Sequence, residues 1–256
     1  MHPILYDFGF LSLKSYGLML AIAFFVGIYL AKREAIKEGI EGKHIDSLSF
    51  GLIISAIVGA RLLHVIAEQP AYYLKHPIDI FKVNTGGLAF YGGFILAIAY
   101  SVYYCVKHKL GFLKIADIIS PSIATGIMFA RIGCFLAGCC YGKQCDLPWA
   151  VTFTNPLGAG ETGVPLHPTQ LYESFLGLAI FIILISIRKF KRFEGELFLI
   201  LLIIYSVMRS FIEFFRADNR GGFASLSTSQ LISIPIFIFA VYLFIKKWKE
   251  SKEPVQ

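Results

Sequence analysis

The sequence predicts an all-α integral membrane protein with about seven transmembrane helices. The first observation is composition: 56% of the 256 residues are hydrophobic and only 16% are charged, whereas a soluble domain carries about 25% charged residues. The second is the arrangement of the apolar residues, because a spanning helix needs about 20 consecutive, mainly apolar residues. Seven blocks meet this requirement, at 13–31, 47–67, 86–106, 115–141, 171–187, 195–215 and 228–245.

The blocks leave little chain between them, so residues 1–256 are expected to form a single polytopic transmembrane domain. Residues 1–12 contain no Lys or Arg, so the first block lacks the basic region of a cleaved signal peptide. The longest connection runs over about 142–169 and contains four prolines. Connections of this length are often functional, and this one is expected outside the cytoplasm.

The third observation is that basic residues occupy alternate connections. They cluster after the first, third, fifth and seventh blocks, as in Lys32, Arg33, Lys37 and Lys43; Lys107, Lys109 and Lys114; Arg188, Lys189, Lys191 and Arg192; and Lys246, Lys247, Lys249 and Lys252. The other connections are poor in basic residues, with Lys75 and Lys82 in one, Lys143 in the next and Arg220 in the last. Because basic loops remain in the cytoplasm, the N-terminus is predicted outside and the C-terminus inside. The net charge of +7 therefore sets topology and attracts anionic lipid, and it does not indicate nucleic-acid binding.

Ionisable and polar residues are expected to collect in one layer near the outer face. Charged side chains within a membrane are costly and usually functional. The predicted orientation places the following residues in the outer halves or at the outer ends of their helices: Tyr16, Arg61, His64, Glu68, Tyr91, Arg131, His167, Gln170, Tyr172, Glu173, Arg209, Glu213 and Arg216. Such convergence from five or six helices predicts a site among the helices.

The sixth block carries the sharpest pattern. Tyr205, Arg209 and Glu213 follow one another at intervals of four residues, and Arg216 comes three later, so all share one helix face. One interpretation is a structural Arg–Glu pair, with Arg216 as an interfacial anchor. It would leave Arg61 and Arg131 without an obvious acidic partner. Because a guanidinium matches phosphate oxygens, the alternative is a site for a phospholipid head group.

Two further groups have open interpretations. His64 and His167 are the histidines nearest the layer; a structural hydrogen bond is the simpler role, and His167 before Pro168 also suits an orienting or N-cap role. Gly86, Gly87, Gly92 and Gly93 open the third block. They favour close helix packing through small residues, or a backbone that approaches a ligand.

Seven segments together resemble the bacterial prolipoprotein diacylglyceryl transferases, in the same order and over nearly the whole chain. They are SYGLM (15–19), GARLLHV (59–65), GGLAFYGGF (86–94), ARIGCFLAGCCYG (130–142), HPTQLYES (167–174), YSVMRSFIEFFR (205–216) and LSTSQLIS (226–233). The resemblance implies a multi-pass enzyme of the bacterial cytoplasmic (inner) membrane, surrounded by membrane lipids. It would move the diacylglyceryl group of phosphatidylglycerol to the lipobox cysteine of a prolipoprotein signal peptide, with no cofactor and no metal.

The resemblance also implies roles for individual residues. Arg131 and Arg209 would hold the phosphate, Glu213 would position Arg209 or the substrate, and Tyr91 and His167 complete the expected catalytic set. The expected substrate-binding residues are Tyr16, Arg61, Gly92, Gly93, Gly142, Gln170, Glu173, Tyr205 and Arg216.

The chain departs from the family pattern at several positions. The family usually has a histidine where this chain has Tyr91, and a tyrosine with a pKa of about 10 is a poor base at neutral pH. Cys134, Ala137 and Cys139 stand where the family has Asn, Asn and Glu. Two alternatives therefore stay open: a paralogue that transfers a phospholipid-derived group to another acceptor, and a non-catalytic lipid-binding protein.

Four of the five cysteines cluster near the outer end of the fourth block, as Cys134, Cys139, Cys140 and Cys145, and Cys105 lies apart. Small packing residues or a disulfide from Cys139 or Cys140 to Cys145 are one interpretation. A second is a nucleophile that carries the diacylglyceryl group. A third is a metal or redox site, although the C-x4-C-C-x4-C spacing lacks the familiar CxxC pair.

Overall fold

The structure, a computed structural model, describes residues 2–8, 12–82, 86–158, 160–217, 222–223 and 226–252. Its helices are α1 (Ser15–Lys37), α2 (Gly42–Ala67), α3 (Pro70–Lys75), α4 (Phe90–Lys107), α5 (Phe112–Ala137), α6 (Thr169–Ile187), α7 (Glu196–Glu213) and α8 (Thr228–Glu250). Within these described residues, two 3-10 turns lie at Pro77–Phe81 and Arg188–Phe190. Three antiparallel pairs join β1 (Ile4–Asp7) to β2 (Ser12–Lys14), β3 (Val151–Thr152) to β4 (Pro165–Leu166), and β5 (Gly222–Phe223) to β6 (Leu226–Ser227).

The predicted all-α membrane fold is confirmed. Six helices in the described part of the chain are long and apolar enough to cross a membrane. Helix α7, which carries Glu196, Arg209 and Glu213 in its 18 residues, is not among them. The number of seven spans and the orientation stay predictions, and Arg220 lies outside the described residues.

Two predicted helix boundaries are wrong. The third long helix begins at Phe90 rather than near Gly86, because Gly86 and Gly87 have φ values of +91° and +72°, which a right-handed helix cannot contain. The fourth ends at Ala137 instead of continuing to residue 141. The last cysteines therefore follow the helix rather than line it.

The chain forms two compact units, residues 32–115 and residues 1–31 with 116–256. In the 32–115 unit, α2 and α4 pack closely through small residues. A Cβ atom at Gly92 would overlap the Gly59 carbonyl, and one at Gly93 would lie 2.6 Å from the Ala56 carbonyl oxygen. Gly92 and Gly93 therefore have the predicted role of allowing close helix packing, and the facing helix fills the space beside them that a ligand would need.

In the other unit, α6 and α7 bury most of the apolar core, and α8 packs on α7. The fully packed members are Ala124, Leu176, Ile180, Leu184, Leu197, Leu201 and Ile212. Gly177 lets α6 approach α5, because a Cβ there would be 2.8 Å from the Ala124 carbonyl oxygen. Close contact between α5, α6 and α7 brings their polar residues together at one end.

Capping groups determine where α7 and α8 begin. The buried Asp117 carboxylate accepts hydrogen bonds from the backbone N–H groups of Gly195 (2.8 Å) and Phe198 (3.0 Å). At α8, Ser227 and Gln230 form a reciprocal capping box. Both caps satisfy N–H groups that a helix start leaves without intrahelical partners.

The predicted outer connection is a folded segment. The Phe153 side chain is fully buried against the rings of Phe135 and Tyr141. The Gly142 N–H donates to the His167 carbonyl at 2.9 Å. The connection is therefore attached to the ends of α5 and α6.

Candidate functional site

A buried carboxylate between two arginines forms the centre of the site. Glu173 on α6 is fully buried. Its Oε2 lies 2.8 Å from Arg131 Nη2, and its Oε1 accepts from Arg216 Nη1 at 3.2 Å. The expectation that Arg131 lacks an acidic partner is wrong, because α6 supplies one. Glu173 itself binds side chains of the protein rather than facing open space.

A second ion pair lies on α7. Arg209 Nη1 donates to Glu213 Oε2 at 2.6 Å, and Arg209 Nη2 donates to Ser229 Oγ at 2.9 Å. Both side chains are largely buried. The predicted Arg–Glu pair on one helix face is present, and Ser229 joins it to the start of α8.

The two ion pairs belong to one cationic cluster. The Tyr205 hydroxyl, one turn before Arg209, hydrogen bonds with Arg131. Three guanidinium groups (Arg131, Arg209 and Arg216) face two carboxylates (Glu173 and Glu213), so the charges sum to +3 − 2 = +1. A buried site with excess positive charge attracts an anion, and forked guanidinium groups suit phosphate oxygens.

Access to this cluster differs among its members. The side chain of Arg131 is 18% exposed, against 7% for Arg209 and 1% for Arg216. Tyr16, at the start of α1, is half-exposed and lies over Gly133, where an added Cβ would be 3.2 Å from its Cδ2 atom. Arg131 and Tyr16 are therefore the groups that a ligand would reach first.

The chain turns sharply after α5, and the turn brings cysteines together. The Gly138 and Cys139 N–H groups donate to the carbonyls of Phe135 and Cys134, each at 3.1 Å, with Gly138 at φ +75°. This is a Schellman motif, in which the second residue past the helix bonds back to its last turn. Cys140 then takes φ +65°, an uncommon conformation for a residue other than glycine.

Two buried side chains from α6 hold this turn. Gln170 Nε2 donates to the Cys139 carbonyl at 2.7 Å, and Thr169 Oγ1 donates to the Cys140 carbonyl at 2.8 Å. Both residues are fully buried. Gln170, predicted to bind substrate, therefore positions the cysteine turn.

The sulfur atoms of Cys134, Cys139 and Cys140 lie within 4.8 Å of one another. Hydrogen bonds with the Cys134 and Cys139 thiols, and then with Arg216, lower the pKa of Cys140. All five cysteines of the chain fall within the described residues, and none of them forms a disulfide. The disulfide considered for Cys145 is therefore absent from this structure.

The predicted site residues of the 32–115 unit have mainly structural contacts. Arg61 donates four hydrogen bonds of 2.6–3.0 Å to the carbonyls of Asp79, Ile80, Gly86 and Gly87. Its guanidinium thus secures the segment before α4. His64 Nδ1 pairs with Glu68 at 2.6 Å. Tyr91 differs from these residues because its side chain is 44% exposed.

His167 and Gly142 form a packing point at the start of α6. A Cβ atom at Gly142 would lie 2.5 Å from the His167 Cβ and from the Phe215 carbonyl oxygen. His167 Nδ1 is 3.2 Å from the Tyr172 hydroxyl. The N-cap role considered for His167 is wrong, because Pro168 occupies that position and makes no side-chain cap.

Comparison with known sequences supplies the identity of the fold. The family profile described as prolipoprotein diacylglyceryl transferase matches residues 3–246. The chain belongs to the prolipoprotein diacylglyceryl transferase family. Proteins named phosphatidylglycerol--prolipoprotein diacylglyceryl transferase are similar to it: 39% identity in Clostridium tetani (95% of this chain, 97% of the relative), 38% in Finegoldia magna (92% and 91%) and 34% in Geobacter sulfurreducens (95% and 94%).

Sequence reasoning missed several contacts of this member of the prolipoprotein diacylglyceryl transferase family. The pairing of Glu173 with both Arg131 and Arg216 joins three elements, and no pattern within one helix indicates it. Thr169 had no assigned role, although it anchors Cys140. A usable signal was present for the cysteines, because Gly138 marks a helix end with Cys134 four residues before it.

Proposed function

We propose that the protein transfers the diacylglyceryl group of phosphatidylglycerol to the lipobox cysteine thiol of a prolipoprotein, at the bacterial inner membrane. The bond from the glyceryl carbon to the phosphate oxygen breaks, a thioether forms, and glycerol phosphate leaves with the electron pair. The observation that carries this proposal is the buried cluster of three arginines around two glutamates, which has one excess positive charge. Membership of the family supports the choice of substrates.

In this proposal Arg131 and Arg209 bind the phosphate and stabilise it as it departs. Arg131 is the more accessible of the two. Glu213 positions Arg209 through their 2.6 Å hydrogen bond, and Tyr205 positions Arg131. Tyr16, exposed near Arg131, contacts the head group.

The test is replacement of each arginine. We expect Arg131→Ala and Arg209→Ala each to lower the transfer rate about a hundredfold, because the loss of a charge-assisted contact to a developing anion costs about 3 kcal/mol. Lysine at either position should restore little, since it lacks the planar fork. The assay measures diacylglyceryl transfer from phosphatidylglycerol to a lipobox peptide. Arg192→Ala, an exposed arginine before α7, is the matched control.

Equal rates in the native protein and both alanine variants would contradict the phosphate site. Complementation then separates the functions. Cells depleted of their own transferase should regain lipid-modified lipoprotein when they express this chain. Turnover of phosphatidylglycerol without that rescue would indicate another acceptor, and lipid binding without turnover would indicate a binding protein.

A further inference from the structure

The three clustered thiols are not used by the phosphate site. We propose that Cys134, Cys139 and Cys140 bind one Zn²⁺ ion through three thiolates, and that the acceptor cysteine thiol occupies the fourth coordination position. The inference rests on the proposed function for the identity of the fourth ligand. The family resemblance implies no metal, so this site would be particular to chains with this cysteine pattern.

The spacing of the sulfur atoms suits a tetrahedral ion. A Zn–S bond of about 2.3 Å places the sulfur atoms of a tetrahedral site about 3.8 Å apart. The three sulfur atoms here already lie within 4.8 Å of one another. Metal binding would therefore require the sulfur atoms to approach one another by about 1 Å at most.

The backbone of the turn is held in place before any ion binds. The Schellman motif joins Cys139 to Cys134, and buried side chains of α6 hold the carbonyls of Cys139 and Cys140. The left-handed conformation of Cys140 is the kind of strained backbone that persists where surrounding structure enforces it, often at functional sites. A preorganised set of ligands lowers the entropy lost on metal binding.

Burial and charge favour an open site. Cys134 is buried, whereas Cys139 and Cys140 are each partly exposed, so one side of the cluster faces outward. Three protein ligands with one open position are typical of catalytic rather than structural zinc. Three thiolates and Zn²⁺ carry −3 + 2 = −1, and Arg216, which hydrogen bonds with Cys140, would orient that thiolate from outside the first coordination shell.

The site would provide the thiolate that the reaction needs. A thiol that binds zinc loses its proton, and here that proton passes to water. The acceptor sulfur then attacks the glyceryl carbon: a C–S bond forms, the C–O bond to phosphate breaks, and the Zn–S bond breaks as the neutral thioether leaves the ion. The electron pair leaves on the phosphate oxygen, and zinc stays divalent throughout. Zinc thus replaces the base that Tyr91 cannot provide.

The test measures metal in the full-length chain, purified in detergent from cells supplied with zinc. We expect elemental mass spectrometry to find about one zinc ion per chain. The zinc content of the Cys139→Ser and Cys140→Ser variants should be at least tenfold lower. The matched control is Cys145→Ser, which changes a partly exposed thiol outside the cluster and should keep its zinc. Thermal unfolding of each variant verifies that it is folded. Removing zinc from the native chain with a chelator gives a metal-free protein that carries no substitution, for comparison with the variants.

The fourth ligand is tested by replacing zinc with Co²⁺. The native chain should show thiolate-to-cobalt charge-transfer absorption. A lipobox peptide with cysteine should change this spectrum, whereas the same peptide with serine should not. An unchanged spectrum with the cysteine peptide would overturn the assignment of the acceptor thiol.

Other results overturn the inference in distinguishable ways. Absence of both zinc and a cobalt spectrum from the folded native chain would exclude the metal site. Full transfer by chelated, metal-free protein would sink the inference and leave the proposed function intact. A gain of one diacylglyceryl mass by the chain without acceptor, lost in one cysteine variant, would identify a nucleophile instead. Metal and peptide-thiol binding without any transfer would contradict the proposed function alone.

Discussion

Glu173 is the buried negative charge at the centre of the site. It is fully buried and pairs with Arg131 and Arg216. Removing one member of a buried ion cluster leaves the others without compensation, and this usually costs more than the intact cluster contributes. The stability of the α5–α6 contact therefore depends on this carboxylate.

We expect Glu173→Gln to destabilise the protein by about 3 kcal/mol, because two guanidinium groups lose the buried carboxylate that they share. Thermal unfolding in detergent measures the effect. The control is Glu161→Gln, a change at an exposed residue of the connection between α5 and α6. Unchanged unfolding of the Glu173 variant would show that the ion cluster does not hold the helices together.

Tyr91 is exposed and stands where a base would be expected. We predict that Tyr91→Phe lowers the transfer rate about fivefold without abolishing it, because its hydroxyl orients substrate through a neutral hydrogen bond contributing about 1 kcal/mol. The measurement is the rate with phosphatidylglycerol and a lipobox peptide. Tyr103→Phe, at another exposed tyrosine of α4, should leave the rate unchanged. A loss as large as that of Arg131→Ala would instead make the phenol essential to catalysis.

Residue-scale contacts were predictable only where they are local. Arg209 and Glu213 lie four apart on one helix, so their pairing follows from helix geometry. The Arg131–Glu173 pair depends on the relative rotation and depth of α5 and α6, which neither helix encodes alone. Arg61 donates hydrogen bonds to backbone carbonyls of an irregular segment. Backbone acceptors of this kind leave no periodic pattern of residue types in the sequence, so they could not be predicted.

Among the elements, α2 and α4 pack closely through small residues. Gly92 faces the Gly59 carbonyl with no space for a Cβ. We expect Gly92→Ala to destabilise the protein by about 2 kcal/mol, because overpacking forces backbone shifts. Thermal unfolding is again the measurement.

Gly126→Ala is the matched control for this substitution. Gly126 is also within a long helix, α5, but beyond its own stretch of that helix no atom of the described residues lies within 4 Å of its ideal Cβ position. Alanine there should be neutral or slightly stabilising, because it is the better helix former. Equal effects of the two substitutions would mean that helix propensity, not packing, governs Gly92.

The long helices were predictable because each is a sustained apolar block. The shorter features were not. The hairpin of Val151–Thr152 with Pro165–Leu166 has two residues per strand, too few for an alternating pattern. The predicted start of α4 is too early because Gly86 and Gly87 have positive φ values, and the Arg61 hydrogen bonds to their carbonyls follow no local sequence pattern.

For the whole molecule, basic residues in alternate connections predict the N-terminus outside and the C-terminus in the cytoplasm. A membrane-impermeant thiol reagent applied to intact cells should label Glu161→Cys and miss Glu41→Cys. Both positions are exposed, so accessibility alone does not separate them. The native chain measures the background from its own cysteines, and the reverse pattern of labelling would invert the predicted orientation.

The turn after α5 has a consequence beyond this chain. Its three sulfur atoms come from seven consecutive residues, 134–140, and the helix-ending motif alone brings Cys139 back to Cys134. The same seven-residue pattern should therefore reproduce the cluster when it is grafted onto the end of another helix. The new site would also need a hydrogen-bond donor beside each of the last two carbonyls. Protein designers would obtain a three-thiol centre from one contiguous segment, with almost no loop-closure entropy to overcome.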